Sequence, residues 1–111
     1  MTAKVFVTQE AHRYNYAPAE AFGEVHFITQ KEMSTVGNSR INEQIALDIK
    51  RFLAGYIPGT DYLITSGNPI TGAQIMMSLG RKFGDCEHNM LKWDSASRQY
   101  LNHKVRPCDA N

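Results

Sequence analysis

The stretch DYLITSGNPITGAQIMMSLGRKFG, residues 61–84, decides the fold. Tyr62–Thr65 shows no polar alternation, which is typical of a strand covered on both faces, so we expect it to be central in its sheet. Asn68 is predicted to cap a helix, and Pro69 to be its first residue, where a missing N–H costs nothing. Gly84 is predicted to end that helix.

The flanking sequence supplies the other elements of the domain. A second helix is predicted to start at the cap Ser39 and to end at Gly55, with an apolar stripe at helical spacing: Ile41, Ile45, Ile49, Phe52 and Leu53. Four more strands are predicted at Lys4–Thr8, Glu24–Thr29, Asn89–Trp93 and Arg98–Val105. The predicted order is therefore β-β-α-β-α-β-β.

This order predicts one α/β domain, residues 1–111, with a mixed five-stranded sheet and two main helices. Two consecutive β-α-β units require strands two, three and four to run parallel, and the closing hairpin adds an antiparallel edge. If both helices lie on one face, either the segment Tyr14–Phe22 or a second subunit must cover the other. Trp93 and Tyr100 near the edge suit an interface, so we expect a homodimer.

Composition excludes some function classes. Twelve Lys and Arg balance eleven Asp and Glu, for a net charge of +1, so no surplus is available for tight non-specific binding to nucleic acid. A local basic patch could still bind nucleic acid through four nearby residues: Lys92, Arg98, Lys104 and Arg106. We favour the alternative that these residues are the solvated ends of surface strands. No stretch approaches the ~20 apolar residues of a membrane span, and the amino-terminal residues lack a signal-length apolar core. We expect a cytoplasmic protein with no membrane partner.

Motifs for metal, thiol or nucleophilic chemistry are missing. The histidines fall in four separate segments without HExxH spacing, so no metal and no cofactor is predicted. Cys86 and Cys108 lack CxxC spacing; free thiols are favoured over a single disulfide. Ser66 stands in T-S-G and not in G-x-S-x-G, so the pattern favours a binding protein over an enzyme.

The turn before the second helix is the predicted binding site, because ligands of such sheets sit where a strand gives way to a helix. Free N–H groups and the helix dipole attract anions there, although Pro69 removes one donor and the Asn68 cap uses another. The predicted ligand is anionic or nucleotide-like. The predicted contacts are Ser66, Gly67, Asn68, Thr71 and Gln74, with Lys92 and Asp94 across the crevice. Two alternatives stay open: a capped helix start without ligand, and an Asp94 that caps its own turn.

A second function is weighed beside this one. Tyr14, Tyr16 and Phe22 beside Arg13 suit base stacking, as in proteins that bind single-stranded nucleic acid. The alternative, which we favour, is that these rings cover the open face of the sheet.

Four short elements together resemble a known group. They are NYAPAEAFGEV in Asn15–Val25, DYLI with GNP in Asp61–Pro69, LKWD in Leu91–Asp94, and Tyr100 shortly after. The set resembles small uncharacterised proteins of tailed bacteriophages, some of them environmental. Those proteins often have Gly-Asp-Pro where this chain has GNP, and a basic residue after LKWD where this chain has Ser95. The resemblance implies a phage origin and a place in the host cytoplasm. It adds a third function, inhibition of a host or viral protein by surface contact.

Overall fold

The computed structural model describes residues 2–32 and 40–108. The predicted cap Ser39 lies outside them. The elements, in chain order, are β1 (Lys4–Gln9), a 3₁₀ turn (Ala17–Ala21), β2 (Glu24–Thr29), α1 (Arg40–Gly55), β3 (Tyr62–Ile64), α2 (Pro69–Phe83), β4 (His88–Asp94) and β5 (Gln99–Val105).

The sheet has the order β2-β1-β3-β4-β5. The first four strands are parallel, and β5 pairs antiparallel with β4. The predicted α/β domain with a mixed five-stranded sheet and two main helices is therefore confirmed, and β3 is its middle strand. The position of β1 could not be read from the sequence: it lies between β2 and β3 and is parallel to both.

Both main helices cover one face of the sheet, which we call the helix face. The stripe of α1 and the apolar arc of α2 meet alternate strand residues there in one cluster: Phe6, Ile28, Leu63, Ile45, Ile49, Phe52, Tyr56, Ile75 and Leu79. Asn68 caps α2 as predicted, since its Oδ1 accepts a hydrogen bond from the Ile70 N–H at 2.8 Å. Burial of this cluster supplies the main apolar stabilisation of the domain.

The opposite face is covered by the chain's own 3₁₀ turn. Tyr16 and Ala19 are buried against Val5 and Val7, and the Phe22 ring lies 5.3 Å from the ring of Tyr62. Of the two predicted ways to cover this face, the structure therefore shows the aromatic segment Tyr14–Phe22.

Coverage on the helix face stops before the last strand. The helices pack on β2 and β1 and reach β3 through Leu63, whereas Leu101 and Val105 of β5 stay 41% and 44% exposed. No helix in residues 2–32 and 40–108 combines the length and the apolar character that crossing a bilayer requires.

Candidate functional site

The middle strand is shorter than both of its neighbours, which leaves a notch in the sheet. Val7 pairs with Ile64, the last residue of β3, and β1 continues for two residues beyond it. Leu63 pairs with Met90, and β4 runs on to Asp94. A cleft of about 1,040 Å³ fills this notch at the carboxyl ends of the parallel strands. The cleft lies at the end of β1, where the strand order reverses because β2 pairs on one side of β1 and β3 on the other. Open α/β sheets bind ligands at such a point.

The floor of the cleft is the turn after β3, tied down by two side chains of neighbouring segments. The Thr8 hydroxyl donates to the Ser66 carbonyl at 2.7 Å and accepts from the Ser66 N–H at 2.8 Å. The Tyr16 hydroxyl lies 2.6 Å from Ser66 Oγ and accepts from the Ala11 N–H at 3.0 Å. The position of Ser66 is therefore fixed by long-range contacts from both sides of the notch.

Gln9, the last residue of β1, fills the space beneath the turn. Gly67 has a φ of +81°, and a Cβ there would lie 2.7 Å from the Cβ of Gln9. The Gln9 side chain accepts from the Asn68 N–H and donates to the Lys31 carbonyl at 3.0 Å and to the Glu32 carboxylate at 3.2 Å. Only glycine fits at this point of the turn.

These bonds occupy three of the donors that the sequence offered to an anion. The N–H groups of Ser66, Asn68 and Ile70 are bonded to side chains of the protein itself, and Pro69 has none. The start of α2 therefore presents little to a ligand, and a negative charge in this cleft would be met by side-chain cations.

An aromatic row forms the wall of the cleft on the face opposite the helices. Its members are Tyr14, Tyr16, Tyr100 and Trp93, all of which line the cleft. The Tyr14 and Tyr16 rings are 6.5 Å apart, and those of Trp93 and Tyr100 are 5.2 Å apart. Tyr16 and Tyr100 are buried in one cluster, and this burial raises the pKa of Tyr100. Tyr14 and Trp93, at the two ends of the row, are 53% and 42% exposed.

Charged side chains of both signs line the cleft. The Arg13 guanidinium lies 5.2 Å above the centre of the Tyr14 ring, and Lys92 lines the opposite wall beyond the end of β3. Among the described residues neither cation forms an ion pair. Two carboxylates also line the cleft, and they accept hydrogen bonds only from amide groups: Glu10 from Gln30 at 2.8 Å, and Glu32 from Gln9 and Asn68. The cleft therefore offers two cations without an ion pair to a ligand, and its lining has as many carboxylates as cations.

Four of the seven predicted contacts line the cleft, namely Ser66, Gly67, Asn68 and Lys92. The other three lie outside its lining. Thr71 is fully buried in the first turn of α2, and Gln74 is exposed on that helix. Asp94 caps its own turn, the alternative left open above, because its carboxylate accepts hydrogen bonds from the N–H and the hydroxyl of Ser97. These bonds lower the pKa of Asp94.

The cleft is also lined by four residues that were not among the predicted contacts: Gln9, His12, Trp93 and His103. Each comes from a different segment, and only the pairing of β1, β3 and β4 brings them to one end of the sheet. Of these four, Trp93 had a signal in the sequence, because an aromatic side chain near the edge of the sheet suits an interface.

At the amino end of the sheet the buried polar groups serve the fold. Asp61 accepts from the N–H groups of Lys4 at 3.0 Å and Ile57 at 2.8 Å. The Tyr56 hydroxyl lies 2.6 Å from His88 Nδ1; burial raises the pKa of this tyrosine and lowers that of the histidine. Within residues 2–32 and 40–108 no three His, Cys, Asp or Glu side chains are placed to hold a metal ion, and both cysteines are free.

Comparison with known proteins identifies the family. The family described as "Phage Pam3 gp32-like protein" has a model that matches residues 3–107. The chain belongs to this phage family. The match covers both the cleft and the 3₁₀ turn, and it confirms the resemblance to small phage proteins. No curated protein and no solved structure is significantly similar to the chain.

Proposed function

We propose that this phage protein is a non-enzymatic binding protein whose cleft holds a nucleotide-like ligand, a planar ring that carries an anionic group. One observation carries the proposal: the notch above β3 combines an aromatic wall, whose end residues Tyr14 and Trp93 are exposed, with cations that have no ion pair among the described residues. A pocket of this size with a few convergent polar groups is the usual form of a small-molecule site.

The aromatic row supports the ring of the ligand. Trp93 and Tyr14 pack edge-to-face against their neighbours Tyr100 and Tyr16, so these exposed side chains lose little freedom when a ligand ring stacks on them. Arg13 already lies over the Tyr14 ring, so we assign the stacking to Trp93 first. Stacking of a base on such a ring contributes about 1–3 kcal/mol.

The cations support the anionic group. Arg13 and Lys92 stand on opposite sides of the cleft, in the loop after β1 and on the extension of β4. Because the donors at the start of α2 are already bonded, we assign the recognition of the charge to these side chains. The guanidinium forms paired hydrogen bonds with phosphate or carboxylate, and the lysine acts as a point charge.

The environment of Ser66 supports binding over catalysis. Its hydroxyl is hydrogen-bonded to the Tyr16 hydroxyl, whereas a nucleophilic serine needs a base such as His or Lys at that distance. We therefore assign Ser66 to ligand contact and to the support of the cleft floor.

Thermal denaturation with and without ligand tests the proposal. The panel comprises mononucleotides, the matching nucleosides and inorganic phosphate, which separate the ring from the anion. A ligand present at a hundred times its dissociation constant stabilises the folded chain by about 2.7 kcal/mol. We expect the largest shift with a mononucleotide, and a smaller one in both Trp93→Ala and Lys92→Ala. Lys104→Ala is the matched control, an exposed lysine of the same hairpin that does not line the cleft.

Two results would reject this proposal. One is an unchanged melting temperature with every member of the panel. The other is retention on single-stranded DNA that falls with added salt and that Lys92→Ala and Lys104→Ala weaken equally. Such a result would indicate a nucleic-acid-binding protein. The structure gives that alternative little support, because Lys92 and Lys104 lie on opposite faces of the sheet and Tyr16 and Phe22 are packed over the core.

A further inference from the structure

The last strand is an open edge of the sheet. Within the described residues β5 pairs only with β4, and six of its seven residues are exposed. An edge of this kind presents unpaired N–H and C=O groups to any strand that matches it. We propose that β5 pairs antiparallel with β5 of a second copy, about a two-fold axis at His103, so that the two sheets become one.

Symmetry limits the possible registers. A two-fold axis between antiparallel strands runs perpendicular to the sheet and places one residue opposite its own copy. An axis at Asn102 would place Arg98 opposite the partner's Arg106. An axis at Leu101 would place Arg98 opposite the partner's Lys104, and an axis at Lys104 would place two lysines face to face. Like charges directly opposite each other are destabilising.

An axis at His103 avoids these charge conflicts. Lys104 then lies opposite the partner's Asn102, and Arg106 lies opposite the partner's Tyr100, which is buried and uncharged. No two like charges therefore lie opposite each other in this register, whereas each of the other three registers opposes two cations, either within β5 or at its ends.

The same register pairs the exposed apolar side chains. Leu101 and Val105 are on the helix face, where they are 41% and 44% exposed because neither helix reaches β5. With the axis at His103, Leu101 lies opposite the partner's Val105, and the pair occurs twice by symmetry. Val105 also lines an apolar groove of about 320 Å³ between α2 and β4, so the partner's Leu101 extends an existing apolar surface. The charges on one face of β5 and the apolar pairs on the other thus both favour a second copy of this chain as the partner of this edge.

Sedimentation velocity over about a hundredfold range of protein concentration tests whether the dimer forms, because association follows mass action. The chain mass is 12.5 kDa, and we expect a species of twice that mass to grow with concentration. Leu101→Glu and Val105→Glu are each expected to weaken dimerisation at least tenfold. Leu47→Glu on α1, where the side chain is 60% exposed, is the matched control and is expected to leave it unchanged. Thermal melts verify that every variant is folded.

Single-cysteine cross-linking tests the register, in a background with Cys86→Ser and Cys108→Ser. His103→Cys is expected to form an intermolecular disulfide on mild oxidation, because only the axis residue faces its own copy. Asn102→Cys and Lys104→Cys are the controls; in this register their own copies are about 8 Å away, beyond disulfide reach. A chain that stays monomeric at every concentration, a dimer insensitive to Leu101→Glu, or a cross-link stronger at 102 or 104 than at 103 would each overturn the proposal.

Discussion

Replacement of Gly67 by alanine tests how the cleft floor is built. Two costs are expected, and they have different origins. The residue has a φ of +81°, a conformation that costs a residue with a Cβ about 1–2 kcal/mol. The new Cβ would also lie 2.7 Å from the Cβ and 2.8 Å from the Cδ of Gln9, so that side chain must leave its place beneath the turn.

The displaced Gln9 would leave the Asn68 N–H without its acceptor and lose its bonds to the Lys31–Glu32 segment. A buried polar group left without its partner costs about 1–3 kcal/mol. The sum for Gly67→Ala is therefore about 2–5 kcal/mol of unfolding free energy. Urea denaturation at constant pH measures it, and the slope with denaturant verifies that the transition stays two-state.

Gly59→Ala is the matched control. Gly59 has a φ of +80°, and a Cβ there would meet no atom within 4 Å. It carries the backbone cost alone, about 1–2 kcal/mol. The difference between the two variants measures the contact with Gln9, and a prior Gln9→Gly substitution, which also removes the Gln9 Cβ, should remove most of it. Equal losses in Gly67→Ala and Gly59→Ala, in the presence and absence of Gln9→Gly, would refute the packing argument.

Three further predictions concern the rest of the fold. Gly23→Ala should lower the unfolding free energy by about 2–3 kcal/mol, because its Cβ would lie 2.7 Å from the backbone carbonyl carbon of Ala3, which cannot move aside as a side chain does; a loss below that of Gly59→Ala would contradict this. Asp61→Asn should cost about 2 kcal/mol in the same urea assay, since one of two bonded backbone N–H groups would then face an amide NH₂; an unchanged midpoint would count against it. Burial lowers the pKa of His88 below 6.5, so the unfolded chain takes up the proton at a higher pH than the folded chain does. The unfolding free energy should therefore fall as the pH drops below about 6.5, and it should level off below the pKa of the folded state. His88→Gln should flatten this dependence on pH.

The sequence by itself determined the elements and their faces. The Asn68 cap, the following Pro69 and the apolar run before them are local signals, and the helix and strand they predict are present. The alternation that places Val25 and Phe27 on one face of β2 is likewise local, because successive side chains of a strand point to opposite sides. These features depend on neighbours in the chain, so they could be read before any tertiary contact was known.

Only the tertiary structure decided where the cleft lies and what lines it. The insertion of β1 between β2 and β3, and the register that lets β1 and β4 outrun β3, depend on pairing between residues far apart in the chain. Local propensity does not encode such pairings. The same pairings bring Gln9 beneath Gly67, closing the donors that the isolated turn offered, and place Arg13 and Trp93 around one opening. The sequence therefore predicted the turn that forms the floor of the cleft, whereas strand register decided the extent of the cleft and the residues that line it.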